Sequence, residues 1–299
     1  MSNYKATTKI SFLGTVFSRL ILLLQIKDKL AKDSFKQLKS YRDTITPVVK
    51  GYLKEVIGDV TVFWINKEKR GNGILVFLPG GGFIIGPIKL HWGYCEKMSK
   101  KLNMAVLVIH YHLAPKQPFP NGLNSIINVV NALQNRGVLK DKWFLAGDSS
   151  GGNLTLSTCY KLFELKAPLP QKILLLYPSV DMDIKKAEPE AKKIEGKDVL
   201  LSVGFTKKVL AAYVHDQDVS NPLLSPVNGN VGILPPVLLQ HGTNDILVPG
   251  SRELAHKLEA VGKAVQYEEY EGMFHGFILA PWLPEAKMAI RSQVKFLTN

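Results

Sequence analysis

From about residue 55 onward the chain alternates short β-prone runs with helical periods, an order that few folds accommodate. Val60–Ile65 is β-branched and aromatic, and Ile74–Leu78, 105–109, 143–146, 172–176, 237–241 and Val265–Tyr270 repeat the theme. Helical periods fill the intervals at 92–102, 122–135, 151–165 and 251–261. Runs this apolar need cover on both sides, and interleaved helices provide it, so the predicted class is α/β with a mostly parallel sheet between helical layers. The alternation breaks once, between Pro178 and Pro235, where a Lys/Glu/Asp-rich stretch precedes a helix-like segment at 203–215. That interval exceeds a simple crossover and reads as an insertion at about 179–234.

A chain of 299 residues sits near the upper limit for one hydrophobic core, which favours one domain carrying an added subdomain. We divide it into an N-terminal cap segment, 1–50, and a core, 51–299, that holds the insertion. Residues 12–26 are apolar and follow Lys5 and Lys9, as in a signal peptide, but Arg19 interrupts them and no small-residue cleavage site follows. The stretch is also too short to span a bilayer. An amphipathic helix fits better, with Phe12, Val16, Leu20, Leu23 and Leu24 on one face that covers a pocket or touches a membrane surface. Cys95 and Cys159 are the two cysteines, with no metal-ligand spacing around them. Two buried free thiols suit a cytoplasmic location. The net charge of +13 comes from dispersed lysines without a basic block among aromatics, which argues against a nucleic-acid partner.

The strongest local signal is Gly147-Asp148-Ser149-Ser150-Gly151-Gly152, directly after one strand and opening a helix. A glycine-rich turn with a capping serine would give a similar string; a phosphate loop would need a following Lys-Ser/Thr pair, which is missing. Small residues flanking a serine at a strand-to-helix turn expose its hydroxyl at the sheet edge, as a nucleophile elbow requires. Serine then needs a base, and on such a sheet the partners follow in the order acid, histidine. His91, His110 and His112 precede Ser149, His215 and His241 precede the best acid, and His256 lies in a helical period. His275, in Gly272-Met273-Phe274-His275-Gly276 after the last strand, has the required position. Asp245, just beyond strand 237–241, ranks above Asp216, Asp218 and Glu271 as the acid. Gly80-Gly81-Gly82 follows strand Ile74–Leu78, so the N–H groups of Gly81, Gly82 and Ser150 are the candidate oxyanion donors.

These residues resemble the hormone-sensitive-lipase-like family of α/β-hydrolases, bacterial carboxylesterases among them. The resemblance rests on Pro79-Gly80-Gly81-Gly82-Phe83, Tyr111-His112-Leu113-Ala114-Pro115 with Phe119-Pro120, the Ser149 elbow, Asp245-Ile246-Leu247 and His275-Gly276-Phe277. It implies an eight-stranded core, a helical cap and no cofactor. Three positions depart from the family pattern: Pro79 replaces the usual His, Lys116 the usual Glu, and Pro249 a common second Asp. The expected activity is hydrolysis of small short-acyl esters through a Ser149-His275-Asp245 triad, with Phe83, Phe205, Tyr213 and Phe277 lining the pocket. Amidase, formamidase or acyltransferase chemistry would use the same triad. A non-catalytic receptor on this scaffold is the alternative from another class, and the presence of His275 speaks against it. The expected partner is a small ester, with no stable membrane insertion; self-association is left open.

Overall fold

The structure of the protein is a computed structural model that describes residues 4–6, 9–32 and 52–299. Its centre is β4 (Ile74–Leu78), whose five residues are all buried. Alternate residues of a strand face opposite ways. Ile74, Val76 and Leu78 accordingly join one core cluster, while Leu75 and Phe77 join the other. Full burial of such a side chain contributes about 1.5–3 kcal/mol, so both faces of the sheet drive folding.

Around β4 the remaining strands are β1 (Tyr4–Ala6), β2 (Tyr52–Ile57), β3 (Val60–Ile65), β5 (Ala105–His110), β6 (Trp143–Asp148), β7 (Ile173–Leu176), β8 (Val237–Gly242) and β9 (Val265–Tyr270). Their order across the sheet is β1-β9-β8-β7-β6-β4-β5-β3-β2. Pairing is parallel except at β2–β3 and β3–β5. The expected eight strands are β2 to β9, and the short β1 adds a ninth beside β9.

One face of the sheet carries α4 (Asn121–Asn135), α5 (Ser150–Glu164) and α8 (Val248–Ala260) over the first core cluster. The other carries α3 (Lys89–Leu102) and the C-terminal α9 (Pro284–Thr298) over the second. Cys95 and Cys159 are buried and unpaired, one in each cluster.

The segment between β7 and β8 holds α6 (Ile184–Glu195) and α7 (Val203–Val214). Glu188 on α6 receives Lys207 of α7 at 2.7 Å, and Lys186 reaches Glu253 of α8 at 2.9 Å. At the N-terminus lie α1 (Phe12–Leu23), capped by the Ser11 hydroxyl, and α2 (Ile26–Lys32). Lys27 of α2 donates to the carbonyls of Glu195 (2.6 Å) and Asp198 (3.0 Å), which ties α2 to the inserted segment.

The orientation of α1 departs from one of the two sequence expectations, that its apolar face covers a pocket. Its buried positions are Gly14 and Ile21, with Phe17 packed on Phe274 and Trp282. The face expected to find cover, Phe12, Val16, Leu20, Leu23 and Leu24, is exposed. Gly14 contributes to the close fit: a Cβ there would lie 2.8 Å from Met273 Cε and 3.2 Å from Glu285 Oε1, so a larger residue would require those side chains to shift. Residues 33–50 of the expected N-terminal cap segment lie outside the described residues.

Candidate active site

β6 ends at Asp148, and the chain reverses at Ser149 with φ 52° and ψ −118°. Such a conformation costs a non-glycine residue about 1–3 kcal/mol and persists only where its surroundings enforce it. Here the Ser149 N–H donates to Leu176 O at 2.9 Å, and Ser149 O accepts from Asn153 (3.2 Å) and Ser179 (3.0 Å). The turn therefore presents the hydroxyl at the carboxyl edge of the sheet, at the N-terminus of α5.

β8 and β9 end at the same edge. The Ser149 Oγ lies 2.9 Å from His275 Nε2, and His275 Nδ1 lies 2.7 Å from Asp245 Oδ2. With Nδ1 donating to the carboxylate, Nε2 is left to accept the serine proton. Asp245 is fully buried, and its other oxygen accepts from the Leu247 N–H at 2.9 Å. Burial alone would raise its pKa, but the neighbouring imidazoles of His275 and His241, with the His275 hydrogen bond, prevail and hold the carboxyl well below the usual range. Burial disfavours the His275 imidazolium, yet Asp245, then Asp198 and Asp148, outweigh it and hold the histidine above its ordinary value.

The glycine loop after β4 is fixed from two sides. Gly80 N–H donates to Asp148 Oδ1 at 2.7 Å, and the Tyr111 hydroxyl donates to Pro79 O at 2.6 Å. The loop is thus anchored through the Pro79 carbonyl, at the position where the sequence resemblance led us to expect a histidine side chain. Asp148 also meets His91 Nε2 at 3.1 Å; His91 Nδ1 accepts from Ile88 N–H, so Nε2 carries the proton. Gly81 O accepts from Ile84 and Ile85, while the N–H groups of Gly81 and Gly82 engage no acceptor among the described residues. Their φ values are 129° and 61°. The loop is thus organised with two free donors, and a third belongs to Ser150, the first residue of α5. No three His, Cys, Asp or Glu side chains among the described residues are grouped to hold a metal ion.

The profile of a family described as having the alpha/beta hydrolase fold matches residues 75–279. The chain belongs to the α/β-hydrolase family. An acetyl-hydrolase of Streptomyces hygroscopicus is 28% identical to this hydrolase over 242 residues, 81% of this chain and 80% of its own. An esterase of Acinetobacter venetianus is 28% identical over 238 residues, 79% and 78% of the two chains. The crystal structure of an esterase from the bacterial hormone-sensitive lipase family superposes with a TM-score of 0.81 at 24% identity, covering 94% of this chain and 96% of that one. Fold, family resemblance and enzyme class, a serine hydrolase of carboxylesterase type, are as the sequence led us to expect.

In this hydrolase two groups that sequence reasoning did not select lie against the acid. His241, set aside as base, is fully buried with Nδ1 2.7 Å from Ser251 Oγ. Its Nε2 lies 2.9 Å from Asp245 Oδ2, off the axis of a well-formed hydrogen bond. Its place four residues before Asp245 at the strand end was the available signal. Asp198 comes from the loop between α6 and α7; its Oδ2 accepts from Ile246 N–H at 3.0 Å, and its Oδ1 from Leu200 and Leu201 at 2.9 Å each. Burial, then the charge of Asp245, pushes its carboxyl up to about 6. No motif surrounds Asp198, and only the fold brings it to the acid loop.

The four expected lining residues divide. Phe83 and Tyr213 stack face to face, centroids 3.7 Å apart and planes 5° off parallel, joining the glycine loop to α7. Val209 of α7 sits over Gly82, 2.8 Å from where a Cβ would be. Phe205 is half-buried on the same helix. Phe277, expected to line a pocket, has no exposed surface and packs on Tyr177 and Tyr270 in the core beneath His275; Phe83 and Tyr213 are each only 1% exposed, so Phe205 alone of the four keeps a partly open surface.

Proposed function

We propose that this enzyme hydrolyses small, short-acyl carboxylic esters by way of an acyl-enzyme on Ser149. The observation that carries the reading is the unbroken line Ser149 Oγ, His275, Asp245, set at the sheet edge beside unengaged N–H groups of Gly81 and Gly82. In this mechanism His275 Nε2 takes the Ser149 proton as Oγ bonds to the ester carbon. The carbonyl oxygen becomes an oxyanion facing the N–H groups of Gly81, Gly82 and Ser150. His275 then passes its proton to the departing alkoxide, the C–O bond breaks and the alcohol leaves. Water, activated by the same imidazole, releases the acid and restores Ser149. Asp245 stays ionised throughout and stabilises the imidazolium.

The inserted segment 179–234 together with α2 acts as the cap in this reading, and the small acyl site follows from it. Val209 packs on Gly82 and the Phe83–Tyr213 stack ties α7 to the glycine loop, and this close approach of the inserted segment supports a preference for acyl groups of about two to six carbons. The enzyme works in the cytoplasm, where two buried unpaired thiols remain reduced. A p-nitrophenyl ester series from acetyl to palmitoyl tests the proposal. The expected result is a higher kcat/KM for butyryl than for palmitoyl and a loss of roughly 10⁴-fold or more in Ser149→Ala. Preference for palmitoyl would overturn the substrate class, and undiminished hydrolysis by Ser149→Ala the mechanism.

A further inference from the structure

α1 is apolar on the side that faces the protein and on the side that does not. Gly14, Phe17 and Ile21 take the inner side, against Met273, Phe274 and Trp282. At ~100° per residue, Phe12, Leu13, Val16, Leu20 and Leu23 occupy about a 100° arc of the outer side. Phe12 is 85% and Leu23 80% exposed, and the other three are 43–46% exposed. Scattered exposed apolar residues are ordinary, whereas a contiguous set of this size marks a contact surface.

The surroundings of the face specify the contact. Trp282, 42% exposed, packs edge-on against Phe17 at 5.4 Å and adjoins the apolar arc. Beside it Lys97 reaches Pro281 O at 3.5 Å and stands near Lys101 and Lys287. Burial, followed by the charges of those two lysines, lowers the Lys97 pKa, in keeping with three cations grouped beside Trp282. Lys9 and Arg19 are exposed at the start and on the rim of α1. The whole chain carries +13.

We propose that the outer face of α1 docks the protein on an anionic lipid surface, with α1 flat in the headgroup boundary, Phe12, Val16, Leu20 and Leu23 inserted and the lysines at the phosphates. A tryptophan at the rim and basic groups around an apolar helical face suit that boundary, and the inner leaflet supplies the negative charge. The contact is peripheral: none of the described helices is long and apolar enough to cross a membrane.

Flotation of the full chain with phosphatidylcholine vesicles, with and without phosphatidylglycerol, tests this. The wild type is expected to bind the phosphatidylglycerol vesicles, to bind pure phosphatidylcholine more weakly, and to be released by salt. Phe12→Asp and Leu23→Asp should each lower partitioning by roughly tenfold or more, while hydrolysis of a soluble acetyl ester stays unchanged and shows that the variants are folded. Absence of vesicle binding by the wild type, or binding equal to the wild type by folded Phe12→Asp and Leu23→Asp variants, overturns the proposal. A concentration-dependent dimer seen by light scattering that the same substitutions dissociate, without vesicle binding, also overturns it and assigns the face to a second copy of the chain.

Discussion

At the scale of single residues, the chemistry depends on how three carboxylates surround one imidazole. His275 serves as a base only when neutral, and Asp245, Asp198 and Asp148 hold its pKa above the ordinary 6.5. The kcat/KM of the free enzyme should therefore rise with pH along a limb displaced above that value. Asp198→Asn removes one negative charge near the imidazolium, so the imidazolium loses stabilisation, its pKa falls and the limb moves to lower pH. The plateau should fall by less than about tenfold, because Asp198 positions the acid loop and does not touch the reacting atoms. A limb that stays in place or moves upward contradicts this role. Stability follows the same sign: both groups have folded pKa values above their unfolded ones, so their contributions are full at low pH and lost as pH rises. For Asp198 that loss runs from its unfolded 3.8 to about 6.

At the scale of elements, the elbow depends on how closely α5 approaches the sheet. A Cβ on Gly151 would lie 1.9 Å from Leu78 O, a backbone atom that no rotamer can move aside. Gly151→Ala should cost roughly 3 kcal/mol or more in urea unfolding. Gly204 in the first turn of α7 has open space around its Cβ position, so Gly204→Ala should be neutral or stabilising by up to about 1 kcal/mol. Equal midpoints for the two variants would contradict the packing described. Strands β3 to β8 were legible because their runs are mostly apolar on both sides, as interior strands must be, and β9 because Val265, Tyr267 and Tyr270 mark a β-prone run between helical periods. β2 was not, since it is an antiparallel edge strand with Lys54, Glu55 and an exposed Val56 breaking the pattern. Helical spacing told which residues of α1 share a face but not which face turns inward; packing of Gly14, Phe17 and Ile21 on the core settles that, and such contact is invisible to periodicity. Asp198 stayed hidden for a related reason, since a loop 47 residues before Asp245 meets it only after the insertion has packed.

At the scale of the whole molecule, one arrangement joins these parts. Parallel strands β6, β8 and β9 end at one edge, and each delivers one member of the line Ser149, Asp245, His275. Chain order and turn context sufficed to select those members, because a parallel sheet brings the ends of distant strands together whatever lies between them. The inserted segment supplies what order could not reveal, the closure over the glycine loop and the brace on the acid loop. The central claim is that this line transfers an acyl group to Ser149. The most direct measurement is mass spectrometry of protein quenched during turnover of p-nitrophenyl butyrate, with peptides mapped. One butyryl group is expected on the peptide containing Ser149, none there in Ser149→Ala, and slower formation in His275→Ala. A butyryl group on another residue, or full turnover by Ser149→Ala, would contradict it.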